Sequence, residues 1–169
     1  MREVAVYLRG LTLFVAGIVV GTVMISSGVA QDAGKEGLRL NHVGIAVKDF
    51  QESLNFYTKV MGFRVAYAMP SPDGKPTTTF LQISRDTFLE MAPASANLPA
   101  GLTHMGILTD DANATVTQLR QAGATLADVR SGGGTGSRLS NVMDPNGIRL
   151  EIVEQPSGSL MRKAMESWK

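Results

Sequence analysis

The hexapeptide LNHVGI at residues 40–45 reappears in slightly altered form as LTHMGI at residues 102–107. The two copies are 62 residues apart, and Asp49 matches Asp111 at the same offset. Glu90 and Glu151 lie 61 residues apart, each within a strand-like run. A repeat at a nearly constant offset indicates two copies of one structural unit. We therefore predict two tandem modules, module 1 over residues 39–95 and module 2 over residues 101–155.

A helical pattern follows the His-containing segment of each module. The first helix is predicted to begin at Asp49, a typical N-cap residue, and to stop at Gly62. The second begins at Asp110 or Asp111 and stops at Gly123. In the first helix the expected apolar stripe consists of Phe50, Leu54, Tyr57 and Met61.

Three strand-like runs follow each predicted helix and are separated by turn residues. They span residues 63–69, 77–84 and 87–92 in module 1, and 125–129, 138–143 and 147–153 in module 2. Together with the His-containing strand, each module has the order βαβββ. The predicted fold class is α+β, with a mixed sheet.

Four ionisable side chains occupy matching places in the two modules. Because side chains alternate along a strand, His42 and Gly44 share one face, and the same pattern holds in module 2. The sheet face opposite the helices is thus predicted to gather His42, Glu90, His104 and Glu151. A single strand His is commonly a hydrogen-bonded core residue, but that interpretation does not predict matched pairs in both copies. Four such groups on one face favour a divalent cation, and Zn, Ni, Co, Mn and Fe all suit mixed nitrogen and oxygen ligands.

Composition excludes several classes of protein. The 169 residues are 44% hydrophobic and 18% charged, which is typical of a globular chain. The formal net charge of +1 does not indicate a nucleic-acid partner. The absence of cysteine excludes disulfides, thiolate ligands and a Cys nucleophile.

The first 30 residues have the pattern of an export signal. Arg2 and Arg9 precede the uncharged apolar run at 11–25, and small residues follow, ending at Ala30. Residues 1–30 are therefore predicted to be a signal peptide or, if uncleaved, a membrane anchor. Either alternative places the domain outside the cytoplasm, periplasmic or secreted or held at a membrane. Residues 31–38 have the composition of a polar linker.

Four segments resemble one known superfamily. They are LNHVGIAVKDFQESLNFYTKVMGF at 40–63, FLEMA at 88–92, THMGI at 103–107 and DPNGIRLEI at 144–152. The resemblance is to vicinal-oxygen-chelate (VOC) proteins, which include glyoxalase I, extradiol dioxygenases, methylmalonyl-CoA epimerase and bleomycin-resistance proteins. It covers about residues 39–155 and implies that the two modules form an open, cup-shaped mixed sheet around the metal.

The resemblance also implies chemistry. The ordered set His42, Glu90, His104 and Glu151 is most similar to the metal ligands of glyoxalase I. By that likeness Glu151 is the expected catalytic base, and Glu90 is a ligand and the alternative base. The metal is expected to bind two neighbouring oxygens of a small-molecule substrate and to stabilise an enediolate.

One departure from the glyoxalase pattern bears on the substrate. Glutathione-using members often carry Arg and Asn at the positions of Ala46 and Ala94. We therefore expect a glyoxalase-type lyase or isomerase that does not use glutathione. Two alternatives stay open: an extradiol-type Fe(II) or Mn(II) dioxygenase, and a non-enzymatic ligand-binding protein like the bleomycin-resistance members.

Two further segments are predicted outside the repeated motifs. Residues 156–169 have helical spacing of apolar side chains and are expected to pack on their own sheet or to cover a partner subunit in a homodimer. The glycine-rich run at 131–137 is expected to be a hairpin loop or a lid over the cavity.

Overall fold

Residues 37–169, the part of the chain that this computed structural model describes, form two successive βαβββ units and a final helix. The strands are β1 Arg39–Val47, β2 Arg64–Ala68, β3 Thr79–Ser84, β4 Thr87–Pro93, β5 Gly101–Leu108, β6 Arg130–Ser131, β7 Arg138–Met143 and β8 Arg149–Glu154. The helices are α1 Phe50–Asn55, which continues as a π-helical turn over Phe56–Val60, α2 Ala112–Gln121 and α3 Leu160–Glu166. The predicted α+β class and module order are confirmed.

The predicted signal or anchor segment at 1–30 lies outside the described residues, as does most of the linker at 31–38. Within residues 37–169, no helix is both long and apolar enough to cross a membrane.

All eight strands belong to one open mixed sheet with the order β2-β3-β4-β1-β5-β8-β7-β6. Within each module the first and last strands pair in parallel, β1 with β4 and β5 with β8. The modules meet where β1 pairs antiparallel with β5. The His-containing strands therefore lie side by side at the centre, and each is flanked by the Glu-containing strand of its own module.

Helix boundaries follow the predicted capping residues. The side chain of Asp49 accepts a hydrogen bond from the backbone N–H of Glu52 at 2.8 Å. Asp111, rather than Asp110, caps α2 and accepts from the N–H of Ala114 at 3.0 Å. Both predicted stop glycines have positive φ angles, which glycine adopts without steric cost.

The predicted apolar stripe of the first helix is wrong at its end. The N–H of Met61 bonds to the carbonyl of Phe56 at 3.0 Å, so the last turn has five-residue spacing. This wider turn rotates the following residues away from the stripe. Met61 is consequently 51% exposed.

The strand predicted at residues 125–129 does not form, and module 2 has only the two-residue strand β6 in its place. Side chains occupy the backbone carbonyls there: Arg120 donates to Leu126 at 2.9 Å, and Ser140 donates to Ala127 at 2.7 Å. Leu126 and Val129 pack with α2 instead of extending the ladder. Local apolar packing has therefore overridden strand propensity.

The sheet has a hydrophobic cluster on each face. On one face α2 packs against β8 through a cluster that includes Val116 and Ile152. On the other, α3 covers the sheet with Met161, Ala164 and Met165. This second cluster adjoins the face that carries the four predicted ligands. Helix α3 thus packs on its own sheet, which is one of the two alternatives predicted for residues 156–169.

Candidate metal site and cavity

The two histidines lie at the junction between the modules, each opposite a glycine of the other module. His42 pairs with Gly106, and Gly44 pairs with His104. A Cβ atom added at Gly106 would collide with the His42 ring, and one added at Gly44 would collide with the His104 ring. Each His-x-Gly motif therefore supplies one imidazole ring and, at its glycine, the space that the histidine ring of the other module occupies. Both rings are buried, with 2% and 3% exposure.

His42, His104 and Glu151 bring their ligand atoms together in one cluster, and Glu90 lies next to the two histidines. The Nε2 atoms of His42 and His104 are 3.0 Å apart. The Oε2 atom of Glu90 lies 3.6 Å from the first and 3.4 Å from the second. Glu151 Oε2 lies 3.5 Å from His42 Nε2, and ligand atoms of Glu151 and the two histidines all fall within 4.8 Å of one another.

This geometry fits a divalent cation. Metal–ligand bonds of about 2.1 Å place neighbouring ligand atoms roughly 3.0–3.4 Å apart. Two imidazole nitrogens and two carboxylates form a donor set that zinc and the other borderline first-row metals accept. Two carboxylates gathered beside two buried rings are costly unless their charge is compensated, and a divalent cation would supply that compensation. The chain brings the four residues together, and metal binding by them stays a prediction.

Hydrogen bonds hold both rings from behind. The Oδ1 atom of Asn41 lies 3.1 Å from His42 Nδ1, and Asn41 itself donates to the carbonyl of Asp86 at 3.0 Å. In the matching position of module 2, Thr103 Oγ1 lies 2.9 Å from His104 Nδ1. An acceptor at Nδ1 keeps the proton there and leaves Nε2 free as a ligand atom.

Arg149 also contacts Nδ1 of His104, the ring nitrogen that Thr103 contacts. One Nη atom of this guanidinium lies 2.8 Å from His104 Nδ1. An arginine only donates hydrogen bonds, so this contact requires Nδ1 to be unprotonated, whereas the contact with Thr103 is also satisfied when Nδ1 carries the proton. His104 therefore has two alternative tautomers with different partners.

The two carboxylates differ in their surroundings. Burial raises the pKa of Glu151, but the hydrogen bond from His42 and the charges of His42, His104 and Arg149 outweigh it, so the net shift is downward. Glu151 is thereby held in its ionised form, the form that binds a cation. The Glu90 side chain is more exposed, 22% against 12% for Glu151, and faces Tyr67.

A cavity of about 230 Å³ opens above the four residues and receives side chains from all eight strands. Tyr67 lines it and has a buried hydroxyl with no hydrogen-bond partner among the described residues. Burial first, and the charge of Glu90 second, raise the pKa of Tyr67 far above its ordinary value, so the phenol stays neutral. Ala46 and Ala94, the positions where glutathione-using relatives carry polar side chains, do not line the cavity.

The sequence profile of the glyoxalase/bleomycin resistance protein/dioxygenase superfamily matches residues 39–152. The chain belongs to this superfamily. The match spans both modules and all four predicted ligands, and it confirms the resemblance found in the sequence.

Individual members of the superfamily show how far the likeness extends. A lactoylglutathione lyase of Escherichia coli O157:H7 is 27% identical over 128 residues, which cover 70% of this chain and 93% of that protein. The human mitochondrial methylmalonyl-CoA epimerase is 29% identical over 93 residues, covering 49% of this chain and 53% of that protein. A solved structure of a variant of methylmalonyl-CoA epimerase from Streptomyces coelicolor superposes with a TM-score of 0.60 at 22% identity, covering 72% of this chain and 96% of that chain. At that identity the structural likeness shows the fold alone.

Several residues that contact the histidines or line the cavity of this superfamily member were not predicted from its sequence. Asn41 and Thr103 carried a usable signal, because each immediately precedes a histidine in the repeat. Tyr67 and Arg149 carried none, because their roles depend on strand register and on side-chain conformation. The glycine-rich run lines the cavity through Gly132, Gly133 and Thr135, and the carbonyl of Thr135 accepts a hydrogen bond from Leu160 at the start of α3.

Proposed function

We propose that this chain is a metal-dependent VOC enzyme of glyoxalase type, a lyase or isomerase that acts on a small substrate with two adjacent oxygens and does not use glutathione. The observation that carries the proposal is the convergence of His42, His104, Glu90 and Glu151 at the floor of one cavity. When bound there, a divalent metal supplies Lewis-acid stabilisation of a developing oxyanion.

The chain's own residues divide the remaining work. Glu90 lies at similar distances from both Nε2 atoms, as a ligand shared by one cation would. Glu151, whose pKa is lowered on balance and which lies near His42, is ionised and can take a proton from the substrate carbon and return it to the neighbouring carbon. This proton transfer converts one isomer into another without a net change of oxidation state.

Absence of glutathione from the reaction is supported by Ala46 and Ala94, which stand where glutathione-using members often carry Arg and Asn. Ala46 is buried with 3% exposure and offers no charge to a peptide carboxylate. Ala94 donates its backbone N–H to the carbonyl of Val47 and likewise contributes no polar side chain.

The first test is metal content together with isomerisation. Full-length protein should bind one equivalent of Zn or Ni by elemental mass spectrometry, and His42→Ala should reduce that affinity by at least about 100-fold, since a direct ligand matters more than its outer-shell partners. In D₂O, the loaded protein should exchange carbon-bound protons of hydroxyacetone and interconvert it with lactaldehyde, as NMR detects.

Glu166→Gln, on the exposed side of α3, is the matched control and should behave like the wild type. Metal binding that survives His42→Ala unchanged would contradict the proposed site. Oxygen uptake with catechols would instead support the dioxygenase, because isomerisation consumes no oxygen.

A further inference from the structure

The cavity has two unlike walls, although the repeat builds its floor symmetrically. On the β4 strand Phe88 precedes Glu90 by two residues, and on β8 Arg149 precedes Glu151 by two. Phe88 is fully buried in the core, whereas Arg149 lines the cavity. The second strands of the two modules differ in the same way: β2 carries the aromatic Tyr67, and β6 carries the cationic Arg130. Module 1 thus presents an aromatic wall and module 2 a cationic one.

The cationic wall has unused hydrogen-bond donors. Within residues 37–169, the side chain of Arg130 forms neither a hydrogen bond nor an ion pair, and the residue is exposed at the cavity. The neighbouring hydroxyls are already occupied: Thr135 donates to the carbonyl of Gly132, and Ser137 donates to Gln155. On this wall the guanidinium groups are therefore the charged donors available to a ligand.

Metal binding would remove the hydrogen bond that Arg149 makes to His104. Within the described part of the chain the Arg149 side chain forms one hydrogen bond, to His104 Nδ1, and its charge also acts on Glu151. A neutral imidazole that binds a cation through Nε2 carries its proton on Nδ1. That proton can be donated to Thr103, but it blocks donation from Arg149. Occupation of the metal site would therefore release the guanidinium into the cavity.

The aromatic wall is preorganised. The rings of Tyr67 and Phe80 stack with centroids 4.5 Å apart and an interplanar angle of 20°. Phe80 is buried, and both residues line the cavity together with Met69. Such a surface favours an apolar or aromatic group of the ligand, with one hydrogen-bonding position at the Tyr67 hydroxyl.

We propose that the cavity binds a small organic anion whose carboxylate is held by Arg149 and Arg130 and whose apolar or aromatic group packs on Tyr67 and Phe80. Metal binding frees Arg149 for this role. The substrate class is therefore a 2-hydroxy or 2-oxo acid with an apolar side chain. The inference rests on the proposed function, because it requires a metal at His104.

Calorimetric titration of the zinc-loaded full-length protein tests the two walls. The probes are mandelate, 1-phenylethane-1,2-diol, which replaces the carboxylate by a neutral group, and lactate, which replaces the phenyl group by methyl. Arg149→Met and Arg130→Met should each weaken mandelate binding by about 10-fold or more, because hydrogen bonds between charged groups are the strong ones, and should change diol binding less than about 2-fold. Mandelate should bind about 10-fold more tightly than lactate.

Arg85→Met is the matched control, since Arg85 is exposed, pairs with Asp86 and does not line the cavity. Equal losses for mandelate and the diol, or no loss, would overturn the anion site. Equal affinities for mandelate and lactate would overturn the aromatic wall.

The metal-free protein tests the release of Arg149. The difference in mandelate affinity between wild type and Arg149→Met should disappear when zinc is removed, and a difference that persists would contradict the release. Zinc content is measured in the same samples. Stoichiometric zinc with unaffected mandelate binding overturns this inference alone, whereas absence of zinc binding overturns the proposed function.

Discussion

In module 1 the strand that carries Glu90 also carries the buried Phe88, whereas in module 2 the strand that carries Glu151 carries Arg149 at the matching position. The central strands, in contrast, keep the same His-x-Gly pattern in both modules. The comparison shows that the two copies remain alike where their side chains meet at the module junction. They differ at the cavity walls, away from the module junction. Ligand positions and specificity positions are thus separable within one sheet.

The largest expected effect distinguishes the two carboxylates. Glu151→Gln should lower the rate of hydroxyacetone exchange by about 10²–10⁴-fold, the usual contribution of a general base, when its metal content is matched to that of the wild type. Glu90→Gln should instead weaken metal binding, because Glu90 lies close to both histidines. Metal titration and NMR exchange rates on both variants provide the measurement. If Glu90→Gln lowered the exchange rate and Glu151→Gln weakened metal binding, Glu90 would be the base and Glu151 the ligand.

An intermediate effect is expected from filling either of the two glycine gaps. Gly106→Ala and Gly44→Ala place a methyl group against the histidine ring of the other module. Overpacking of this kind costs about 1–3 kcal/mol of unfolding free energy. The displaced ring should also lower metal affinity, as denaturant melts and metal titrations would measure.

Gly133→Ala is the control for these variants, because a Cβ there meets nothing within 4 Å. If Gly44→Ala and Gly106→Ala unfold like the wild type and keep full metal affinity, the rings have more room than the contacts indicate.

The smallest expected effect concerns Asn41 and Thr103, the residues that orient the two histidine rings. Asn41→Ala removes the side-chain contact that the described residues provide at His42 Nδ1, and Thr103→Val removes the hydroxyl that can accept the Nδ1 proton of His104. Loss of an outer-shell partner typically costs 10–100-fold in metal affinity. We expect about 10-fold for each variant in competition titrations with a chelator. Unchanged affinity in both would show that the strands alone fix the rings.

Much of the fold was predictable because its signals are local. Asp49, Asp111, Gly62 and Gly123 mark the helix ends by capping chemistry, and period-two alternation places the histidines and glutamates on one face. The failures come from interactions between distant residues. Arg120 and Ser140 bind the carbonyls that a strand at 125–129 would have used, which no local propensity encodes.

The candidate site was predictable as a set of residues but not as an arrangement. The repeat identified His42 and His104 without any knowledge of register. The contact of Arg149 with His104 needs both the pairing of β5 with β8 and one particular side-chain conformation. Tyr67 entered the cavity through strand pairing with Phe80 on β3, so its sequence neighbours gave no indication.

The crossed arrangement of His42 with Gly106 and His104 with Gly44 has a consequence for how such a molecule can change. A larger residue at either glycine displaces a ligand that belongs to the other half, so neither copy can drift independently at these four positions. Tyr67 and Arg149 face no such constraint from the opposite copy. Substitutions in the cavity walls, one residue at a time, can therefore change the substrate, while the predicted metal ligands at the module junction stay the same.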